Sequence, residues 1–509
     1  MKKTAKILLC LLLVSAFCLS MLVGCGGNEE PKETTGTTES SEVESLTETE
    51  SKVNDEDTLK EYDFGGEEYR ILTRDVTDYE FDPNSSYGIK TVNTAIFTRN
   101  EEVKNRFNVN ILYDKTDGGW GSGTGNNKWI QKYETVTQSG WSDYELTAAH
   151  FSLQQFCSLK GLTYDMTELE TIDMTKEWWS EQFYENCYIN GKFYVAVGDI
   201  AHTLYEYIQV VFFNETMAES YIKDAVGNPV DLYELVKNNE WTWEKMKTYS
   251  LTINHATDDD PFGLLWWGHS VRGLLITMEM DVLEEDASGS TTMYSFPDSL
   301  SEKTLTYANE IIDYLRTNMG VTWHGNQALG GRSMQKVFGD GDALFCATSL
   351  GFVVEIAETL AEGQTYGVLP LPMADEDQLE YHTVMRDTMT GVSVPKNLKD
   401  PELCGVVTEA LCMYGYQHVR PTYLNVVLDG RYMVNDDLGY VMDLLRETVT
   451  VDFLYAFNVG FNPYPYSQLS DLVEYHKGTE DYATRYAKNL SSYRESLKTI
   501  YAAFGVTVK

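Results

Sequence analysis

Toward the carboxyl end of the chain, Tyr482, Tyr486, Leu490, Tyr493, Leu497 and Tyr501 recur every three or four residues, a period that places all six on one face of a helix. The same spacing in Leu305, Ala308, Ile312 and Leu315 predicts a helix over Ser299 to Asn318. Asp400 followed by Pro401 makes an N-cap and first-turn pair for a helix carrying Leu403, Val407, Ala410 and Leu411. Asp231 caps a short helix with Leu232, Leu235 and Val236, and Thr242 begins another. Short runs rich in β-branched and aromatic residues punctuate these helices. Near the amino end they are Tyr69 to Thr73, Val109 to Tyr113 and Tyr144 to Ala148, with a helix from about Thr94 to Phe107 between the first two. Strands alternating with helices in this way predict a parallel sheet with crossovers. Tyr366 to Leu369, ending at Pro370, and Gly391 to Val394 read as later strands.

Gly191 to Asn214 breaks the alternation. Lys192 to Val197 and Tyr207 to Phe213 are both strand-like, and Gly198 to His202 between them has no helical period, so two strands are expected with no helix intervening. With folded sequence on both sides, the stretch reads as the crossing from one lobe into another. The glycine-rich Gly118 to Gly125 is not a phosphate loop, because no Gly-Lys-Ser/Thr follows and no G-x-G-x-x-G fits; a loop presenting Trp120 is the expectation. The chain contains no internal repeat.

At 509 residues the chain exceeds one compact core, and two lobes are expected. The formal charge is −39, of which residues 26–61 carry −9 and the first 25 carry +3, leaving −33 on residues 62–509. An acidic body argues against nucleic acid or an anionic lipid surface as partner, since both need clustered Lys and Arg. Of eight cysteines, Cys10, Cys18 and Cys25 precede the folded body and five remain, so at least one thiol is free or pairs between molecules. Cys404 and Cys412 lie roughly 12 Å apart on a helix, too far to pair. Either all five are small core residues or Cys157 bridges Cys187. Lys2, Lys3 and Lys6 precede an apolar run from Ile7 to Gly24, the pattern of a secretion signal, with a retained membrane anchor as the other reading. Gly26 to about Lys60 is Glu, Thr, Ser and Gly, too polar to fold and extended by its own charge.

Leu22-Val23-Gly24-Cys25 resembles the lipobox of bacterial lipoproteins, which implies cleavage before Cys25 and its lipidation. Tyr62-Asp63-Phe64-Gly65-Gly66, Asn105 to Val109 and Lys160 to Thr167 resemble the extracellular solute-binding proteins that feed bacterial ABC importers. So do Asn190 to Tyr194, Phe213-Asn214, Trp241-Thr242-Trp243, Phe338 to Phe345 and Tyr366 to Pro370, and the family 1 sugar-binding branch, similar to maltodextrin-binding protein, is closest in layout. The order of these pieces spans about residues 62 to 505. The resemblance implies an α/β fold of two periplasmic-binding-protein-like lobes (type II), hinged by crossing strands around a ligand cleft. It places a signal peptide at 1–24, lipidated Cys25 and an acidic linker at 25–61, lobe one at 62–206 plus 384–430, and lobe two at 207–383 plus 431–509. It also implies a monomer tethered to the extracellular face of the bacterial membrane, binding a small solute, a carbohydrate, and delivering it to permease subunits, with no cofactor, no metal and no catalysis. Lys399 to Asp437 carries no motif that aligns with the family.

Ligands of open α/β sheets bind beyond the carboxyl ends of strands, which singles out the cleft. His150, just past the third strand, is a contact or a structural histidine with equal claim. Asp199, Tyr205 and Tyr207 sit at the crossing. Of Trp266 and Trp267, adjacent in a glycine-flanked stretch, at least one is expected to face the ligand, although burial is the default for tryptophan. Phe352 follows a strand where the family resembled here often has an aromatic platform. Arg386 and Asp387 begin the second crossing, where a guanidinium could grip two hydroxyls, or the pair could simply join the lobes. Ten Trp and 34 Tyr supply flat faces for a pyranose, and are equally good core residues. A secreted glycan hydrolase with paired carboxylates is the alternative of another class, and a sensor subunit for a membrane kinase is a third. Ser333 to Lys336 fits S-x-x-K without its companion motifs and reads as chance.

Overall fold

The computed structural model describes residues 57, 59–118, 124–138, 140–257, 259–286, 292–432, 436–474 and 479–507. The leader, Cys25, most of the acidic linker and Trp120 lie outside the described residues.

Among the described residues, Leu59–Lys509 is organised around two large sheets, beside which Glu284–Asp286 and Met293–Ser295 form a separate two-stranded antiparallel pair. The strands of the first are β1 (Glu67–Arg74), β2 (Val109–Thr116) and β3 (Leu146–His150). Those of the second begin with β4 (Gln209–Asn214), β5 (Phe262–Trp266), β6 (Val321–Trp323), β7 (Ala343–Ser349) and β8 (Tyr366–Pro370), and β9 (Thr390–Ser393) returns to the first. In the first sheet the order is β9-β3-β1-β2: β1 runs parallel to β2 and β3, as the alternation predicts, and β9 lies antiparallel to β3 with Thr390 opposite His150. In the second the order is β8-β4-β7-β5-β6, with β4 antiparallel to both neighbours and β5 parallel to both of its own.

Alternation along β1 builds the layers. Tyr69 and Ile71 point to one face, where they join Val92, Ile96, Val103 and Phe107 of the Lys90–Phe107 helix. Leu72 points to the other, where it meets Trp129 and Tyr133 of the Thr124–Gln138 helix. Both faces of the sheet are therefore covered, the arrangement parallel strands require.

The capping residues read from the sequence cap as expected. Asp231 accepts from the Tyr233 and Glu234 amides, Thr242 from Lys245, and Asp400 from Leu403. The helix expected from Ser299 runs Glu302–Thr317 because Ser301 accepts from the Thr304 amide and fixes its start. The C-terminal helix, Tyr482–Ala503, buries Tyr482, Tyr486, Tyr493, Leu497 and Tyr501, and leaves Leu490 half-buried. It touches both the Glu302–Thr317 helix and the Phe151–Leu159 helix, so its stripe packs against elements beside different sheets. All five cysteines of the body are buried free thiols; Cys187 does not bridge Cys157, and its sulfur instead accepts from Gln155 Nε2 at 3.1 Å. No helix among the described residues is long and apolar enough to cross a membrane.

The crossing departs from expectation. Lys192 to Val197 is extended but joins no strand, making only single bridges such as Ala196 to Val392. A one-turn helix, Thr203–Glu206, stands where none was expected. A partner distant in sequence accounts for it: the buried Glu80 carboxylate accepts from the Thr203 amide at 2.8 Å, which satisfies a first-turn donor. Beside this turn, Gln209 N donates to Val384 O at 2.8 Å and Arg386 N to Tyr207 O at 2.9 Å, so 207–209 and 384–386 form a short antiparallel ladder. A third segment joins through the Thr383 to Val449 bridge. Close approach here depends on glycine, since a Cβ on Gly415 would lie 2.0 Å from the Asp199 carbonyl oxygen.

Glu409, on the Pro401–Tyr414 helix, is 1% exposed and accepts from the indole nitrogens of Trp178 and Trp179, both at 2.8 Å. Burial pushes its carboxyl up to about 7 from an ordinary 4.5. The native state therefore binds the extra proton between those values, and the associated stability, present at low pH, is lost as pH rises through about 7. We expect part of the change in melting temperature between about pH 5.5 and about pH 8 to come from this group. In Glu409→Gln that fall should be smaller by calorimetry, and an unchanged pH slope would refute the assignment.

Candidate functional site

The ends of the strands converge on the crossing. Arg74 ends β1 and His150 ends β3. In the second sheet Trp267 follows β5, His324 follows β6 and Phe352 lies just past β7, while Tyr207 precedes the antiparallel β4, whose Gln209 pairs with Ser349. Antiparallel entry thus brings the start of β4 to the same edge as the ends of β5 and β7.

Arg386 is the centre of this group. Its guanidinium carbon lies 4.5 Å from the Tyr207 ring centroid and 4.6 Å from that of Trp267, a cation held between two aromatic faces. The Trp267 ring also meets His324 at 4.9 Å, Phe352 at 5.5 Å and His269 at 5.3 Å. Burial holds the His150 imidazole well below its usual pKa, reinforced by Arg74, Arg386 and His269. His269 is held well below its usual range by burial, then by Arg272, Arg386 and His324. Both rings are therefore neutral at pH 7. Arg74 is 2% exposed, and a Cβ on Gly118 would lie 2.4 Å from its Cγ, so backbone lies directly against its stem. Its Nε and Nη2 are buried without a hydrogen-bond partner, as is Nε of Arg386.

Not every expected residue joins this cluster. Asp199 and Tyr205 instead line a cavity of about 290 Å³ with Trp179, Arg420, Arg446 and Met385. There Tyr205 OH donates to Asp199 Oδ1 at 2.5 Å, Arg420 lies 3.4 Å from Oδ2, and burial pushes the Asp199 carboxyl up to about 6. Asp387 turns to a water-sized cavity of about 20 Å³ shared with Tyr455, Tyr464 and Tyr466, and accepts from Asn458 Nδ2. Trp266, 1% exposed, packs in the core with its ring centroid 6.1 Å from that of Trp323, leaving Trp267 half-buried beside Arg386. Sequence reasoning passed over Arg74, His269 and His324. Arg74 carried one usable signal, a charge closing an otherwise apolar strand run; the two histidines carried none. Among the described residues, no group of three or more His, Cys, Asp or Glu is placed to hold a metal ion.

No protein-family model matches the chain, and no curated protein matches it in sequence. Solved structures do match. One is a cyclo/maltodextrin-binding protein complexed with maltotetraose, at 12% identity, 85% of this chain, 97% of that chain and a TM-score of 0.52. Another is UgpB from Mycobacterium tuberculosis with glycerophosphocholine, at 14%, 84%, 97% and 0.52. A third is the galacto-N-biose/lacto-N-biose I-binding protein of the ABC transporter from Bifidobacterium longum with lacto-N-biose, at 14%, 88%, 100% and 0.52. A designed esterase also matches, at 11% identity and a TM-score of 0.52. At such identities the likeness is one of fold, and the chain has the two-lobed, periplasmic-binding-protein-like α/β architecture expected of it.

The cluster's electrostatics can be measured directly. His150 and His269 should titrate below the ordinary histidine range in ring-nitrogen NMR spectra. In Arg386→Gln both should titrate at higher pH, because a neighbouring positive charge is gone. Titration of both near their ordinary value in the native protein would contradict the site described.

Proposed function

We propose that this chain is the solute-binding component of an ABC importer, capturing a carbohydrate between two lobes without altering it. The observation that carries the reading is the Arg386 guanidinium between Tyr207 and Trp267, since it sits on the crossing that both sheets share. Half-buried aromatic faces suit the C–H face of a pyranose, and guanidinium and imidazole nitrogens suit its hydroxyls. The lobes are 62–206 with 384–430 and 207–383 with 431–509. His150, Tyr207, Trp267, Phe352 and Arg386 form the ligand face, and Asp199, Tyr205, Trp266 and Asp387 support the crossing behind it. Contact with both lobes stabilises the closed form over the open one by the difference in affinity, and the closed form docks on the permease. Cys25, lipidated after removal of residues 1–24, tethers the body to the extracellular face of the bacterial cell membrane through the acidic linker.

The hydrolase reading is weaker. Of the carboxylates beside Arg74 and Arg386, Glu80 accepts from the Thr203 amide and the Thr390 hydroxyl, and Asp387 from Asn458. Carboxylates so engaged hold structure rather than attack a glycosidic carbon.

Titration calorimetry against a panel of oligosaccharides tests the proposal. We expect saturable one-to-one heat with the sugar recovered unchanged, whereas heat that continues with turnover would establish a hydrolase. Trp267→Ala should weaken binding about tenfold or more. Lost thermal stability with affinity intact would return that ring to the core.

A further inference from the structure

We propose that the guest is an acidic saccharide whose ring bears an oxyanion, a uronate carboxylate or a sulfate ester, seated against Arg74 and Arg386. This rests on the binding-protein reading above and narrows its substrate class.

Two guanidiniums with unused donors lie on the same side of the crossing. Arg74 ends β1 beside the strand that His150 ends, the Arg386 guanidinium carbon lies 4.5 Å from the Tyr207 ring centroid, and both charges reach the His150 imidazole. Arg74 leaves Nε and Nη2 buried and unpartnered, and Arg386 leaves Nε. A buried cation with unmade hydrogen bonds is expensive, and the shortfall is met when an anion arrives. The protein's own acids do not meet it. Both oxygens of Glu80 are committed, to the Thr203 amide and the Thr390 hydroxyl. Glu206 accepts from Tyr79 OH at 2.9 Å and lies 3.4 Å from His202 Nε2. Asp387 faces Asn458 and lies 3.8 Å from His269 Nδ1. Asp75 is the remaining acid near Arg74, and its Oδ1 faces the Gly118 amide at 3.5 Å.

Sugar hydroxyls could accept single bonds here, but they bring no charge. An oxyanion brings both, and its paired oxygens match the guanidinium fork. The body carries −33, and an anion here needs positive charge close at hand. The two arginines supply it, and the nearby carboxylates are turned to other partners. Half-buried Tyr207, Trp267 and Phe352 remain for the sugar faces.

Matched pairs decide the matter by titration calorimetry: oligouronates against their methyl esters, and sulfated oligosaccharides against their desulfated forms. We expect the charged member of one pair to bind at least about tenfold more tightly than its neutral partner, and the pair that does so identifies the oxyanion. Arg74→Gln should bring that ratio near one, because it costs the charged member far more affinity than its neutral partner. Arg386→Lys keeps the charge, loses the fork and should lower the ratio in part; it carries the test if the first variant melts early. Neutral members that bind as tightly as charged ones would overturn the acidic guest and leave the importer reading standing. Absence of saturable heat with any saccharide, charged or neutral, would overturn both.

Discussion

Two backbone hydrogen bonds, Arg386 N to Tyr207 O and Gln209 N to Val384 O, set the geometry of everything around the crossing. In extended chain, successive side chains take opposite sides. That is why Arg386 reaches Tyr207 and Trp267 while its neighbour Met385 lines the cavity of Asp199 and Tyr205. A slip of one residue would exchange the two sets and take the guanidinium away from the strand ends.

The crossing is held by groups drawn from the whole chain. Glu80 organises the turn at Thr203 and binds Thr390, which itself pairs with His150 at the edge of β3. Gly415 lets the helical segment after Tyr414 touch the Asp199 backbone, and Arg420 reaches the Asp199 carboxylate from there. Residues around 80, 200, 390 and 415 thus share one joint. A joint made of many short segments can hinge without breaking either sheet.

Charge is distributed against the grain of the composition. A strongly acidic chain buries Arg74 and half-buries Arg386 beside neutral histidines and turns the nearby carboxylates to structural duties. The desolvation cost of such a site must be offset elsewhere, and the aromatic faces on either side of Arg386 supply part of that offset.

Much of this protein was legible residue by residue. The caps at Asp231, Thr242 and Asp400, the parallel pairing of the first three strands and the C-terminal stripe follow from local hydrogen bonding and periodicity, which neighbours in sequence determine. The order of motifs pointed to the two-lobed fold. The turn at Thr203–Glu206 was not legible, because its stability comes from a carboxylate more than a hundred residues away. Trp266 and Trp267 are equivalent on paper, and only the sheet assigns one to the core. Asp199 and Tyr207 look equally placed at the crossing, yet Asp199 lines a cavity with Tyr205 while the ladder sets Tyr207 against Arg386. Local sequence determines which residues cap, which alternate and which bury. Which of them meet is decided by tertiary structure, because long-range pairing sets the side of the chain each one occupies.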